Sequence, residues 1–249
     1  MRRLSLIIYG PSGYGKTTIA ATSLLCPELR PVIMFNFENS ITPIASICNT
    51  RFDIGDPDPN KINVVLANEW SEFLNQWDKF ATVSSLYKTV IIDSLTAANQ
   101  LVLEYVLRRS SVNPKELQHP QFQDFRNSYH VMRNLFLDIQ REESLNFILI
   151  CHSKQNEGDF KKELHLQGNE LPRVIRSLTD HVGYLDVTVK GDRVLTFKPS
   201  SKHECKARQE GDFNMETSVF TPPNPPEDIV GNISVLQIAK TLKLTQENN

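Results

Sequence analysis

A chain of 249 residues with 40% hydrophobic and 22% charged side chains has the make-up of a soluble globular protein, either one large domain or one domain with an appendage. Its formal net charge of -2 argues against nucleic-acid binding by bulk charge, while leaving room for a local basic patch. The four cysteines (Cys26, Cys48, Cys151, Cys205) form no C-x-x-C pair, which disfavours a disulfide framework or a zinc knuckle and favours a cytoplasmic setting; no signal-peptide pattern and no apolar run of ~20 residues suggests export or a membrane span.

Taken in chain order, Leu4 to Tyr9 is a nearly continuous apolar run, the pattern of a strand buried on both faces of a parallel sheet. A helix is predicted from Thr17 to Leu25, closed by Pro27, and a second buried strand over Val32 to Glu38. Residues 39–60 carry little pattern and contain GDPDPN, a loop by its turn chemistry. Ile62 to Leu66 reads as a strand, and Trp70, Phe73, Leu74, Trp77 and Phe80 recur at helical spacing over 70–81. KTVIID (Lys88 to Asp93) is a buried strand ending on a carboxylate, followed by a helix from Ser94 to about Arg109. Phe122, Phe125, Tyr129, Met132, Phe136 and Ile139 form one stripe of a long helix within 120–143, and Leu145 to Cys151 is a further buried strand.

Strands that alternate with helices imply an α/β fold: a mostly parallel, twisted sheet with helices on both faces. After Cys151 the pattern changes. Residues 153–171 are polar and read as a flexible loop, whereas VGYLDVTVK and RVLTFKP flank Gly191-Asp192 as an antiparallel hairpin. The expected organisation is a core over 1–220, then a proline-rich linker (TPPNPPED, Thr221 to Asp228) and a short helix from about Ile233 to Leu242, making a 221–249 tail.

GPSGYGKTT, between the first strand and the first helix, matches G-x-x-x-x-G-K-[ST] at Gly10, Gly15, Lys16 and Thr17. Glycines let the backbone bend so that successive amides face one phosphate, and the helix that follows adds its partial positive charge. The stretch Gly10, Pro11, Ser12, Gly13, Tyr14, Gly15, Lys16, Thr17 and Thr18 is therefore the candidate ATP cradle. In it Lys16 reaches the terminal phosphates, and the Thr17 hydroxyl ligates Mg2+. Asp93, at the end of VIID, is the candidate second metal-site residue; capping the next helix is the alternative reading. Glu38, at the tip of the strand after the phosphate loop, is placed to polarise an attacking water. His152, ending another strand at the same edge, is a candidate contact to the γ-phosphate.

Together, GPSGYGKTT, VIMFNFENS, TVIIDSLTAAN, FILICHSKQNEGDF and DRVLTFKPSSKHECKAR, in that order, resemble the RecA family of recombinase-type P-loop ATPases over roughly residues 3–210. More narrowly they look like the compact phage-encoded ATPases of single-strand annealing and recombination. The resemblance implies a RecA-like core, ATP and Mg2+, and a homo-oligomer with ATP at subunit interfaces. It also implies water activation by Glu38, γ-phosphate sensing by His152 and single-stranded DNA on the 153–171 loop. Basic residues after the hairpin (Lys198, Lys202, Lys206 and Arg208) are implied to reach a neighbour's ATP. The chain departs from RecA in lacking its N-terminal helix-and-strand arm and its large C-terminal domain.

Charge is compatible with DNA contact. Residues 198–208 hold four basic side chains against Glu204 alone, and Lys154, Lys161, Lys162, Arg173 and Arg176 form a second cluster, with Phe160 available to stack on a base. Glu157, Asp159 and Glu163 offset part of this charge. Two other readings use the same phosphate loop: a nucleotide-gated accessory or loader factor of a replication complex, and a small-molecule kinase. The kinase would require an arginine-bearing lid, for which 39–60 offers only Arg51.

Overall fold

Buried apolar strands set the architecture of the computed structural model, which describes residues 3–38, 50–111, 119–191, 193–208 and 218–220. The central strands are β1 (Ser5–Gly10), β2 (Val32–Asn36), β4 (Ile62–Leu66), β5 (Thr89–Asp93), β6 (Asn146–Gln155) and β8 (His181–Val187). They pair in parallel in the order β4-β2-β5-β6-β1-β8. A two-residue strand, β3 (Thr50–Arg51), extends the β4 edge in parallel from within the predicted loop. At the other edge β9 (Arg193–Thr196) and β11 (Ser218–Phe220) add antiparallel strands, and β10 (Lys206–Ala207) pairs with β8. The hairpin expected at Gly191 is the β8–β9 connection, and Gly191 has the φ of 89° that such a turn asks of glycine.

Helices cover the sheet unequally. On one face lie α2 (Trp70–Val83), α3 (Leu95–Ser110), α4 (Phe122–Arg141) and α5 (Glu170–Leu178), contributing Trp70, Phe73, Val102, Met132, Phe136 and Ile175 to one core with Ile7, Phe35, Ile92 and Leu149. The opposite face carries α1 (Lys16–Ala21) and the 3₁₀ turns after it, packing Ile19, Leu24 and Leu29 on Leu6, Ile8, Met34, Ile91 and Ile150. Alternate residues of each strand thus feed two separate cores, which is why these strands read as unbroken apolar runs.

Two sequence expectations are corrected. The 153–171 segment is not a flexible loop: β6 runs on to Gln155, turns back, and pairs antiparallel with β7 (Lys162–Leu164), and α5 begins at Glu170. Its polar composition reflects a hairpin that projects beyond the buried part of the sheet. Nor is the α4 stripe buried along its length. Met132, Leu135, Phe136 and Ile139 are core residues, but Phe122 is 83% and Phe125 41% exposed, because the first turns of α4 extend past the sheet. The predicted helix at 233–242 and the 221–249 tail lie outside the described residues.

Gly10 ends β1 against the backbone of β8. A Cβ there would press on the Leu185 carbonyl oxygen, which as main chain has little freedom to yield. Gly10→Ala is expected to destabilise the fold by about 1–3 kcal/mol, measured by denaturant unfolding.

Candidate functional site

Register decides which side chains meet. β1 and β6 pair so that Gly10 faces His152, and β2 and β5 so that Asn36 faces Asp93, two residues before Glu38. The Phe37 amide donates to the Asp93 carbonyl at 2.6 Å, and the Asn36 side chain accepts the Glu38 amide at 2.9 Å. All four candidate residues therefore stand at the carboxyl rim of the parallel strands, the edge where open α/β sheets bind ligands.

The phosphate-loop backbone bends through Gly13 (φ 78°) and Gly15 (φ 90°), conformations that a side chain disfavours. Lys16 follows, 5% exposed, its ammonium donating to the carbonyls of Gly10 (3.0 Å) and Pro11 (2.7 Å). Burial draws the Lys16 pKa below the usual lysine range, while the nearby Glu38 and Asp93 carboxylates act in the opposite sense. Ser12, Gly13, Gly15, Lys16, Thr17 and Thr18 all line a cavity of about 340 Å3, closed on its other sides by Glu38, Asp93, Ile150, His152 and Arg193. Of the predicted cradle, Gly10, Pro11 and Tyr14 do not line this cavity; Gly10 and Pro11 hold Lys16 through their carbonyls, and Tyr14 packs against the α1-side core.

Asp93 is 3% exposed, and its Oδ2 accepts the Thr17 hydroxyl at 2.7 Å. Its other oxygen, Oδ1, has no hydrogen-bond partner among the described residues. The capping role falls instead to the next residue. Ser94 caps α3 by accepting the Ala97 amide at 3.2 Å, so the Asp93 carboxylate is not spent on the helix end. Burial, aided by the Glu38 charge and opposed by the Thr17 hydroxyl, pushes the Asp93 pKa up to about 6. A buried carboxylate with one unmatched oxygen, bonded to a hydroxyl that has lone pairs to spare, is a donor set suited to a hard divalent cation such as Mg2+.

Glu38 is tied to two partners through one oxygen. The Ser94 hydroxyl donates to Oε1 at 2.5 Å, and His152 Nε2 lies 2.7 Å from the same atom. The His152 hydrogen bond first, and that of Ser94 against the cost of burial, hold the Glu38 carboxyl below the usual glutamate range. His152 is itself fixed through its main chain, its amide donating to Thr96 Oγ1 (3.0 Å) and its carbonyl accepting the His165 amide (2.8 Å). A continuous hydrogen-bonded path therefore runs from Glu38 to α3 and to the start of the segment that leads into α5.

Sequence reasoning missed Arg193. It opens β9 opposite Val187 and lines the cavity beside Gly15, where a Cβ on that glycine would come within 3.4 Å of the Arg193 Nε. The available signal was its place directly after the hairpin turn, on a ribbon whose first strand pairs with β1. The basic residues singled out instead are largely engaged elsewhere. Lys206 Nζ donates to the carbonyls of Arg176, Ser177 and Thr179 (2.6–3.2 Å), satisfying the end of α5, and Arg208 pairs with Asp180 at 2.9 Å. Arg176 pairs with Glu204, and Lys154 with Glu163 at 3.4 Å. Lys198 and Lys202 are exposed, as is Phe160 in the β6–β7 turn.

The family model described as AAA domain matches residues 2–209. Among solved structures the chain is similar to the crystal structure of the RadB recombinase, with a TM-score of 0.50, 18% identity, and 87% of each chain covered. That likeness shows a shared RecA-like fold. Curated protein sequences give no match.

The burial of Asp93 has a pH signature in the absence of nucleotide and metal. Its folded pKa lies above its ordinary 3.8, so ionisation costs stability; the cost is absent below about pH 4, grows through the window to pH 6, and is complete above it. Asp93→Asn should therefore raise unfolding stability at pH 8 by about 1–3 kcal/mol, an advantage that shrinks as pH falls towards 4, as read from melts across that range.

Proposed function

Because the chain belongs to the AAA domain family of P-loop proteins, we propose that it binds and hydrolyses ATP with Mg2+ in the Lys16 cavity and uses the nucleotide state to control a grip on single-stranded DNA in recombination, repair or annealing. One observation carries the catalytic part. Lys16, the Thr17–Asp93 pair and the Glu38–His152 pair all face the same 340 Å3 space, with Ser94 bonded to Glu38. The DNA part is supported by the RecA-like fold shared with a recombinase.

In this reading Thr17 and Asp93 would hold the metal, which when bound would neutralise phosphate charge. Lys16 leaves the Gly10 and Pro11 carbonyls for the terminal phosphate oxygens. Arg193 adds a second positive charge from the same chain, where an arginine stabilises charge that develops during phosphoryl transfer. Glu38 accepts a hydrogen bond from the attacking water and orients it. The hydrogen bonds from His152 and Ser94 hold the carboxylate below the usual glutamate range and fix it in place to polarise that water. Movement of His152 relative to Glu38 would report phosphate loss to the β6–β7 hairpin, which begins at Ser153. We further place the protein in the cytoplasm as a homo-oligomer; with Lys206 and Arg208 committed within the subunit, Lys198 and Lys202 are the candidates for reaching a neighbour's ATP.

Phosphate release, measured with and without a deoxythymidine oligomer, tests the proposal. Hydrolysis stimulated by the oligomer is expected. Lys16→Ala should abolish turnover, whereas Glu38→Gln should bind ATP normally and lose about 10²-fold or more of its rate. A Glu38→Gln protein that hydrolyses ATP at the parental rate refutes the role given to Glu38.

A further inference from the structure

The first turns of α4 carry an aromatic cluster that the fold leaves uncovered by the described residues. Phe122, Phe125 and Tyr129 border a groove of about 420 Å3, within the ~300–1,000 Å3 of ordinary small-ligand pockets, completed by Asn99 of α3, Ser128 of α4 and the Gln167–Leu171 segment that enters α5. The groove lies on the α3–α4 side of the sheet and shares no lining residue with the Lys16 cavity.

Its floor is unusual for an apolar groove. Asn99 is 2% and Ser128 1% exposed, yet the Asn99 Nδ2 donor and the Ser128 hydroxyl have no hydrogen-bond partner among the described residues, and neither has the Gln167 Oε1 acceptor. Asn99 is not a loose side chain: its Oδ1 accepts the Gln167 amide at 2.8 Å, which fixes the amide plane and leaves Nδ2 unmatched. Three unmatched polar atoms in one place each carry an uncompensated desolvation cost. A ligand that brings complementary groups removes that cost.

We propose that this groove receives one unpaired nucleobase of a single strand, an assignment that rests on the single-stranded DNA reading above. Each of the four bases presents a donor beside an acceptor on its pairing edge, the complement of an amide donor, an amide acceptor and a hydroxyl. Each also presents a flat face to Phe122 or Phe125, and base–aromatic stacking tolerates any sequence. Arg126 lines the groove and gives the phosphodiester chain one basic group to follow; in the adjoining cavity, which shares Asn99, Phe125 and Gln167, Lys154 is paired with Glu163 at 3.4 Å. The acidic groups there are Glu170, which is paired with Arg173 at 3.3 Å, and Glu104. Base contact thus falls on α3, α4 and the approach to α5 rather than on the β6–β7 turn that holds Phe160. It also falls one helical turn from Thr96, whose hydroxyl accepts the His152 amide.

The test compares binding of a deoxythymidine oligomer with binding of an abasic oligomer of equal length by fluorescence anisotropy. The wild type should prefer the strand with bases. Phe125→Ala and Gln167→Met should each weaken that strand about tenfold while leaving abasic binding unchanged. Phe122→Ala, altering a ring that is 83% exposed, should act in the same direction and places no load on the core; melting midpoints check that each variant is folded. Variants that bind both strands like the wild type overturn the pocket and leave the DNA reading standing. A wild type that binds neither strand removes the DNA reading itself. Variants that alter self-association in sedimentation, with DNA binding unchanged, assign the groove to a second copy of the chain.

Discussion

Parallel pairing of β1 with β6, and of β2 with β5, is the constraint on which the site depends. Each register sets a strand end level with its neighbour, Gly10 with His152 and Asn36 with Asp93. Lys16, Glu38, Asp93 and His152 are far apart in sequence and reach one cavity because their strands stop at a common rim. A slip of one residue in β5 would turn Asp93 to the other face of the sheet and break its bond to Thr17. Two well-filled cores, one on each side, hold the strands against such a slip.

Electrostatics then distinguishes the two carboxylates. Asp93 is buried with one oxygen unmatched among the described residues and is drawn up to about 6. Glu38 is more open, accepts hydrogen bonds from two partners, and is held below its usual range. Two acids at the same rim therefore differ in proton affinity because burial dominates at one and hydrogen bonding at the other. The histidine that lowers Glu38 is bonded through its backbone to Thr96 and His165, so the Glu38 cluster and the α3–α5 side of the molecule share one hydrogen-bonded path.

Much of this was legible in the sequence. The phosphate loop, the strand-ending Asp93 and the buried strands announce themselves because glycine spacing and unbroken apolar runs have few other physical explanations. The hairpin at Gly191 was equally plain. What stayed hidden depends on contacts between distant segments. Arg193 enters the cavity only because β9 follows a strand that pairs with β1, and Lys206 and Arg208 are spent on the end of α5 and on Asp180, partners that spacing does not reveal. Polarity over 153–171 suggested a loop, but a hairpin projecting beyond its sheet is just as polar. The α4 stripe had the right period, yet periodicity says nothing of how far along the helix that stripe is buried, and its burial stops short of Phe122 and Phe125.

The central claim is that one magnesium-bound triphosphate unites Lys16, Thr17, Asp93 and Glu38. A crystal structure with Mg2+ and a non-hydrolysable ATP analogue tests it most directly. The account predicts the metal at the Thr17 hydroxyl with Asp93 joined to it directly or through one water, and the Glu38 carboxylate facing the γ-phosphate across a single water. Density placing the triphosphate away from Thr17 and Asp93, or leaving Glu38 bonded only to Ser94 and His152 beyond reach of the γ-phosphate, would contradict it.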